Sequence, residues 1–279
     1  MSTLTLQHTT TMSSSSSPLV PVLPVIHSPS ATESFLSRLS ALTAFTQRSN
    51  HVFASPLGPF YYQARSASLP RFVFFGPNAS EESWRVAFLA GFDHRDLRPA
   101  QALLGLVEHL ADRVEDGHGL NLSFFPIVDA AGLFLRASRR PLASAHWGES
   151  AFPEIDLLEK DARLTGYHGF VRVESAPLGD EIVSIVVRAP GGLAAAPDVE
   201  LISSEDTDPF PVRFERTDTL LAPTTGPLSV ADDFAVSPFE LTLRIPSAWP
   251  DDIHQEAVQV ILSRFILRYR AFQAYGQHL

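Results

Sequence analysis

Cysteine is absent from this 279-residue chain. Its absence excludes disulfides, thiolate metal sites and a cysteine nucleophile, so a metal site would have to use histidine, aspartate or glutamate. Lysine is almost absent as well, because Lys160 is the only lysine among 21 basic residues. We interpret the arginine bias as an effect of genomic base composition, in preference to a selected use of arginine for bidentate contacts with anions.

Long hydrophobic runs are also missing. No apolar run approaches the roughly 20 residues that span a bilayer, and the amino-terminal MSTLTLQHTTTMSSSSSP lacks the basic start and apolar core of a secretory signal. A net charge of -10 argues against a nucleic-acid partner, which needs a clustered basic face. We therefore expect a cytoplasmic protein with neither a membrane nor a nucleic-acid partner, while any protein partner stays open.

The amino-terminal segment and the rest of the chain differ in composition. Residues 1–30 are polar and then punctuated by proline, which predicts a disordered tail. Residues 31–279 are rich enough in apolar residues to form one α/β domain. Within that domain, residues 189–235 are rich in proline, aspartate, threonine and serine, and only the patches VELIS and PVRFER resemble strands.

Strand-like and helix-like segments alternate along the domain. Apolar spacing predicts helices from Ser34 to about Phe45, Pro99 to Val114, Pro153 to Leu164, and from Asp251 onward. The stretch after residue 128 reads as irregular. Such alternation predicts a three-layer α/β/α sandwich around a central mixed sheet. The predicted strands lie in HVFASPLGPFYYQAR, PRFVFFG, WRVAFLAG, NLSFFPIV, HGFVRVES, EIVSIVVR and SPFELTLRIP.

A cluster of charged residues follows the predicted strand WRVAFLAG. Asp93, His94, Arg95 and Asp96 form a loop between this strand and the helix that begins near Pro99. Enzymes with α/β folds keep their chemistry at the carboxyl ends of strands. This loop is therefore the first candidate site, either as a working site or as the remains of one.

Five segments, in order along the chain, resemble the zinc carboxypeptidase superfamily and its succinylglutamate desuccinylase and aspartoacylase branch. AGFDHRDLRPAQALL resembles a strand that ends in a Gly-x-His-Gly-x-Glu type loop before a helix, and FFPIVDAAGLF resembles one that ends in Pro-x-x-Asn-Pro-x-Gly. RASRRPLASAHWGESAFPEIDLLEKD occupies the place of an Arg-containing stretch, an Asp-Leu-Asn-Arg type motif and a helix. FVRVESAP matches a strand ending in Leu-His, and PFELTLRIP matches a late Pro-Phe-Glu strand with a Glu-Thr-Pro end.

The resemblance covers roughly residues 50–275 and depends on the order and spacing of these segments. It implies the fold of zinc carboxypeptidases, with a zinc ion held by two His and one Glu, a Glu as general base, and Arg side chains that bind the substrate carboxylate. The scaffold residues that carry it are Gly91, Pro126, Gly132, Pro238, Phe239 and Pro246.

The catalytic positions implied by the resemblance hold other residue types in this chain. The first His corresponds to Asp93, the ligand Glu to Asp96, and the second His to Glu174. The Asp-Leu-Asn-Arg motif falls on residues 141–144, where its Asn and Arg are absent, and the general base falls on Arg244. We predict that Asp93, Asp96 and Glu174 are former ligand positions that hold no metal.

The replacement of the general base by Arg244 argues against the parental reaction, because a guanidinium stays protonated at any workable pH. Three carboxylates suit Mg²⁺, Mn²⁺ or Ca²⁺ better than zinc. They would repel one another unless a cation, a proton or an arginine lay among them. We expect Arg244 to be that counter-ion, and the alternative is a functional carboxylate-rich site for zinc or another divalent cation.

Other histidines and arginines offer further candidates. A shift of the alignment by one residue would make His94 a ligand, with His146 or His168 completing the site, although isolated histidines are more often surface or capping residues. Three arginines follow the Gly132 turn, where the family keeps a substrate-binding Arg, and they are candidate substrate-binding residues in what is otherwise a solvated loop: Arg136, Arg139 and Arg140.

Together these features predict a degenerate, catalytically inactive relative of zinc carboxypeptidases and deacylases. We expect the scaffold to act as a binding or regulatory module without a cofactor, with a small anionic or peptide ligand in the inherited cleft. The alternative is a metal-dependent hydrolase, a peptidase or amidohydrolase that releases an amino acid or acyl group from a rebuilt site. A third possibility is an interaction protein with no small-molecule site.

Overall fold

The computed structural model describes residues 30–81, 83–137, 142, 152–188, 210–216 and 239–276, with side chains up to residue 271. The predicted tail, apart from Ser30, and the strand-like patch VELIS lie outside the described residues. No helix among the described residues is long and apolar enough to cross a membrane.

Helices form where the sequence shows an apolar face and suitable first-turn residues. Ser30 accepts a hydrogen bond from the Glu33 N–H, and the Glu33 carboxylate accepts one from the Ser30 N–H, so the first helix begins with a capping box. The second and fourth helices each carry proline in the first turn, where its missing N–H costs little. The helices are α1 (Ala31–Thr46), α2 (Arg98–Asp112), α3 (Ala130–Leu135), α4 (Pro153–Thr165) and α5 (Asp251–Gly276), with a short 3-10 helix at Val114–Gly117.

Ten strands are described: β1 (Val52–Ala54), β2 (Leu57–Tyr62), β3 (Arg65–Leu69), β4 (Phe72–Phe75), β5 (Trp84–Leu89), β6 (Leu120–Phe125), β7 (Gly169–Ser175), β8 (Val183–Arg188), β9 (Val212–Arg216) and β10 (Phe239–Ile245). Eight of them form one mixed sheet in the order β1-β4-β6-β5-β7-β10-β8-β9. The four neighbours β6, β5, β7 and β10 run parallel, so their carboxyl ends meet at one edge. β2 and β3 form a separate antiparallel pair.

Two hydrophobic clusters cover the two faces of this sheet, as expected for a three-layer sandwich. On one face, α1, α2 and α5 pack against residues such as Val171, Leu241 and Leu243. On the other face, α3, α4 and the β2–β3 pair pack against Leu89 and Phe170. Alternate residues along β5 enter opposite clusters, which explains why this strand reads as a largely apolar run. The predicted α/β fold with a central mixed sheet is confirmed.

The stretch after residue 128, predicted to be irregular, contains α3. The Asp129 side chain accepts a hydrogen bond from the Gly132 N–H, 3.2 Å away, and so caps the first turn of the helix. Arg136 ends α3 in the left-handed conformation, with a φ of 53°. A six-residue helix is too short to show a clear period in the sequence, which is why the prediction was wrong here.

Candidate functional site

A cavity of about 420 Å³ opens at the carboxyl edge of the four parallel strands. Asp93 and Asp96 come from the loop after β5, and Glu174 comes from the end of β7. The three carboxylates predicted to be former ligand positions therefore line the same cavity, which we call the cleft. Other residues of its lining include Phe92, Arg98 and Ser247.

Gly91 fixes the start of the loop that carries Asp93 and Asp96. Its φ is +64°, a left-handed conformation that glycine adopts without a steric penalty. A Cβ at this position would lie 2.6 Å from Ile127 Cδ1 and 2.8 Å from the Pro126 carbonyl oxygen. The Gly91 carbonyl also accepts a hydrogen bond from the Asp129 N–H at 2.9 Å. The loops after β5 and β6 are thus held directly against each other.

Asp93 is paired with an arginine from its own loop. Arg95 Nη2 lies 2.7 Å from Asp93 Oδ2, and Arg95 Nε donates to Asp93 Oδ1 at 2.9 Å. These side-chain hydrogen bonds lower the pKa of the Asp93 carboxyl below its ordinary value. Asp93 is consequently an ionised carboxylate whose two oxygens both accept hydrogen bonds from Arg95.

Asp96 forms the same kind of pair two residues further along. Arg98 Nε donates to Asp96 Oδ1 at 2.8 Å, and Arg98 Nη2 donates to Asp96 Oδ2 at 3.0 Å. Burial is the largest single influence on Asp96 and opposes its ionisation, but the hydrogen bonds from Arg98 and Ser175 and the charge of Arg98 together outweigh it, so the pKa of Asp96 is lowered. Arg98 Nη1 also donates to the Ser247 carbonyl at 2.6 Å, which ties the start of α2 to the end of β10.

Glu174 lies between two arginines on the sheet. Arg172 Nη2 is 2.7 Å from Glu174 Oε1, and the Arg172 guanidinium lies 4.4 Å from the centre of the Phe92 ring. Arg244, the register partner of Glu174 on β10, places its Nε 3.7 Å from Glu174 Oε2. Arg244 therefore neutralises Glu174 in part, whereas Asp93 and Asp96 are neutralised by Arg95 and Arg98. The expected arrangement, with Arg244 as the common counter-ion, is not what the structure shows.

These pairings decide how well the cleft suits zinc. Each of the three carboxylates accepts a charged contact from a neighbouring guanidinium, and no histidine is among the residues that line the cleft. Within the described ranges, no three histidine, aspartate or glutamate side chains form a group that could hold a metal ion. A structural or catalytic zinc site needs convergent nitrogen or oxygen donors with free lone pairs. The described donor set does not fit zinc in this arrangement.

A histidine and a buried aspartate form a pair beside the cleft. His94 Nδ1 lies 2.6 Å from Asp129 Oδ2, and the Asp129 side chain is 1% exposed. Because a carboxylate can only accept hydrogen bonds, His94 Nδ1 carries the proton of this contact. A Cβ on Gly132 would lie 2.2 Å from His94 Nδ1, so the pair requires glycine at this position. His94 was considered as a ligand from the sequence, but the sequence did not indicate its partner, because the two residues are 35 positions apart.

The remaining candidates are dispersed. His168 precedes β7 at the opposite edge of the sheet, where its Nδ1 accepts a hydrogen bond from the Arg85 N–H at 3.1 Å, so it cannot complete a site with His94. Arg136 is exposed at the end of α3. His146, Arg139 and Arg140 lie outside the described residues, and their predicted roles stay predictions.

Comparison with known proteins shows a likeness in fold alone. No family model and no curated protein matches the sequence. A metallo-carboxypeptidase from Burkholderia cenocepacia superposes with a TM-score of 0.58 at 14% identity, covering 85% of this chain and 69% of that one. A metallo-carboxypeptidase from Pseudomonas aeruginosa, in complex with (2-guanidinoethylmercapto)succinic acid, gives 0.56 at 14% identity, with coverages of 83% and 68%.

A third structure extends this likeness. The thrombin activatable fibrinolysis inhibitor (TAFI) gives a TM-score of 0.59 at 11% identity, covering 86% of this chain and 73% of its own. At such low identities the agreement concerns the arrangement of strands and helices and leaves the chemistry of the site open. The chain therefore has the fold of metallo-carboxypeptidases.

Proposed function

We propose that this chain is a ligand-binding or regulatory module that has kept a carboxypeptidase-like scaffold without the zinc-dependent reaction. The observation that carries the proposal is the pairing of each cleft carboxylate with its own arginine: Asp93 with Arg95, Asp96 with Arg98, and Glu174 with Arg172. For Asp93 and Asp96 both carboxylate oxygens accept hydrogen bonds from the arginine, so a metal ion at these oxygens would compete with charge-assisted hydrogen bonds.

The residue at the carboxyl end of β10 supports the same proposal. The resemblance assigns this place to the general base, and Arg244 occupies it at 41% side-chain exposure. A guanidinium cannot accept a proton from water. The assignment of the chain to the succinylglutamate desuccinylase and aspartoacylase branch stays a prediction, and so does a small anionic or peptide ligand in the cleft.

A second candidate function is a hydrolase with a rebuilt site, and the pair formed by His94 and Asp129 favours it. In such a site, His94 Nε2 would accept a proton from an attacking water, while Asp129 would hold the ring and stabilise the imidazolium. His94 Nε2 forms no hydrogen bond with the described residues, and the side chain is 26% exposed. These features suit a proton acceptor, and they equally suit a histidine that orders the loop.

Metal content and catalysis together test the proposal. Protein purified without chelator would be analysed by elemental mass spectrometry, and its melting temperature measured with and without added zinc or manganese. We expect less than a tenth of an equivalent of metal, about the level of carry-over, and no rise in melting temperature, because a bound metal stabilises the folded state by mass action.

Hydrolysis would be measured in parallel with a panel of N-acyl amino acids and short peptides. We expect no turnover with or without metal. Metal-dependent release of an amino acid that Asp93→Ala abolishes would refute the module and establish the rebuilt metal site. Metal-independent turnover that His94→Gln abolishes and Asp93→Ala retains would instead support the His94 and Asp129 site.

A further inference from the structure

We infer that His254 is an acid-sensitive switch of the cleft: when its imidazole takes up a proton, Asp96 exchanges Arg98 for His254, and the wall that Arg98 holds together is released. The inference goes beyond the proposed binding function, because it assigns a way in which the cleft opens and closes. It does not depend on what the cleft binds.

The burial of His254 without partners is the observation that calls for a role. His254 lies near the start of α5, and its side chain is fully buried. Neither ring nitrogen has a hydrogen-bond partner among the described residues. Buried polar groups are normally paired, because an unpaired one loses its hydrogen bonds to water without replacement. A proton on this ring would add a second donor and a charge, and both would need a partner.

Arg98 joins the elements that form one wall of the cleft. Its Nε and Nη2 donate to Asp96 at 2.8 and 3.0 Å, and its Nη1 donates to the Ser247 carbonyl oxygen at 2.6 Å. The backbone N–H of Arg98 also donates to Asp96 Oδ1 at 3.3 Å. Asp96, Arg98 and Ser247 all line the cleft. The pair of Asp96 and Arg98 therefore connects the loop after β5, the start of α2 and the segment after β10.

The charges that act on His254 determine which partner it takes once it is protonated. The positive charge of Arg98 disfavours the imidazolium, whereas the carboxylates of Asp96 and Asp251 favour it. An imidazolium is also a donor at both nitrogens and forms charge-assisted hydrogen bonds with carboxylates. Protonated His254 thus competes with Arg98 for Asp96 and repels Arg98 at the same time.

The other elements packed against α5 direct their charges elsewhere. β10 turns apolar residues toward α5, so its Glu240 and Arg244 leave the sheet on the opposite face. The 3-10 helix meets α5 near Arg270, far along the helix from the buried histidine. On the side of α1, the charge of Arg38 is paired with Glu108 at 2.6 Å. The competition for Asp96 is therefore local to the start of α5.

The pH range of the switch follows from the same environment. Burial, together with the charge of Arg98, lowers the pKa of His254 to about 4. At neutral pH the histidine is neutral and Arg98 holds Asp96, and the exchange occurs between about pH 5 and about pH 4. The pKa of Asp96 is itself lowered, so this carboxylate is still ionised in that range and can accept the new partner.

Hydrogen exchange measured by mass spectrometry tests the exchange of partners. The Arg98 N–H is bonded to Asp96 in the closed arrangement, so its exchange rate, corrected for the intrinsic effect of pH, reports the opening of this wall. At about pH 4 about half of the molecules carry the proton on His254. We expect a peptide that spans residues 93–98 to exchange at least roughly tenfold faster there than at about pH 7.

Substitutions of two histidines provide the matched comparison. His254→Leu and His254→Gln, which keep an uncharged side chain at any pH, should both remove the acceleration. His118→Leu removes a histidine before β6 that pairs with Glu115 at 3.5 Å, and it should keep the acceleration. A peptide that spans β4 should exchange equally at both pH values in every protein. Titration of the His254 ring, followed by NMR, should show that the folded protein takes up the proton.

Three results would overturn the inference. Equal acceleration in the wild type and in both His254 variants would mean that another group opens the wall. Protonation of His254 without faster exchange at residues 93–98 would mean that Arg98 keeps Asp96. Acceleration of the β4 peptide together with the cleft peptide would mean that acid unfolds the whole chain. The proposed function is tested separately, because metal content and hydrolysis are measured near neutral pH, where the switch is closed.

Discussion

A buried histidine near the start of α5 predicts a specific dependence of stability on pH. His254 is fully buried, and neither ring nitrogen has a hydrogen-bond partner within the described part of the chain. Burial, together with the charge of Arg98, lowers the pKa of His254 to about 4, although the carboxylates of Asp96 and Asp251 oppose the shift. His254 is therefore neutral in the folded protein at neutral pH and resists protonation as the pH falls.

The size and sign of the effect follow from proton linkage. The unfolded chain takes up a proton at His254 near pH 6.5, whereas the folded chain takes it up only near pH 4. Between these values the unfolded state binds more protons, so acid destabilises the fold. The two pKa values give a loss of about 2 kcal/mol at about pH 5 and almost none at about pH 7.5.

Chemical denaturation of two proteins measures this contribution. The free energy of unfolding would be determined by urea titration for the wild type and for His254→Leu, at about pH 5 and about pH 7.5. Other titrating groups act in both proteins, so the change in the difference between them reports His254. We expect His254→Leu to gain about 2 kcal/mol relative to the wild type on acidification. If the free energies of unfolding of the two proteins changed by the same amount between the two pH values, the contribution assigned to His254 would be refuted.

Two matched pairs of substitutions test the packing around the sheet by the same urea titration. Tyr269→Phe should leave the free energy of unfolding unchanged or raise it by up to about 1 kcal/mol, because the Tyr269 hydroxyl is buried without a partner among the described residues. Tyr167→Phe should lower it by about 1–2 kcal/mol, because the Tyr167 hydroxyl donates to Asp161 at 2.7 Å. Equal effects in the two variants would contradict these assignments. Gly91→Ala should destabilise more than Gly119→Ala by about 1–3 kcal/mol, since both glycines have a positive φ but only Gly91 lacks space for a Cβ. If Gly119→Ala destabilised the protein more than Gly91→Ala, the close approach of the loops after β5 and β6 would be contradicted.

Much of the fold was predictable because the relevant patterns are long and local. The predicted helices around Pro99 and Pro153 agree with α2 and α4 to within two residues at each end, since proline marks the first turn and the apolar period runs over several turns. The strands WRVAFLAG and SPFELTLRIP were recognised from uninterrupted or alternating apolar residues. α3 was missed because six residues provide less than two turns of pattern.

The candidate site was predictable only in part. Asp93, Asp96 and Glu174 line one cleft, as expected for residues that follow adjacent parallel strands. Their individual partners were not predicted, because a sequence alone does not show which of several nearby arginines a carboxylate contacts. The pair formed by His94 and Asp129 was missed for a related reason: its two members come from different loops, which contacts at Ala90 and Gly91 bring together.

The two charge pairs of the loop after β5 are local in the sequence. Asp93 with Arg95 and Asp96 with Arg98 are each two residues apart, so each acid carries its own counter-charge on the same short segment. A segment of this kind can be lost, exchanged or transplanted without leaving an unpaired charge on its neighbour. Glu174 follows the same rule with Arg172. The charge balance of each of these segments is therefore set within the segment, and a substitution in one of them leaves the charges of the other two balanced.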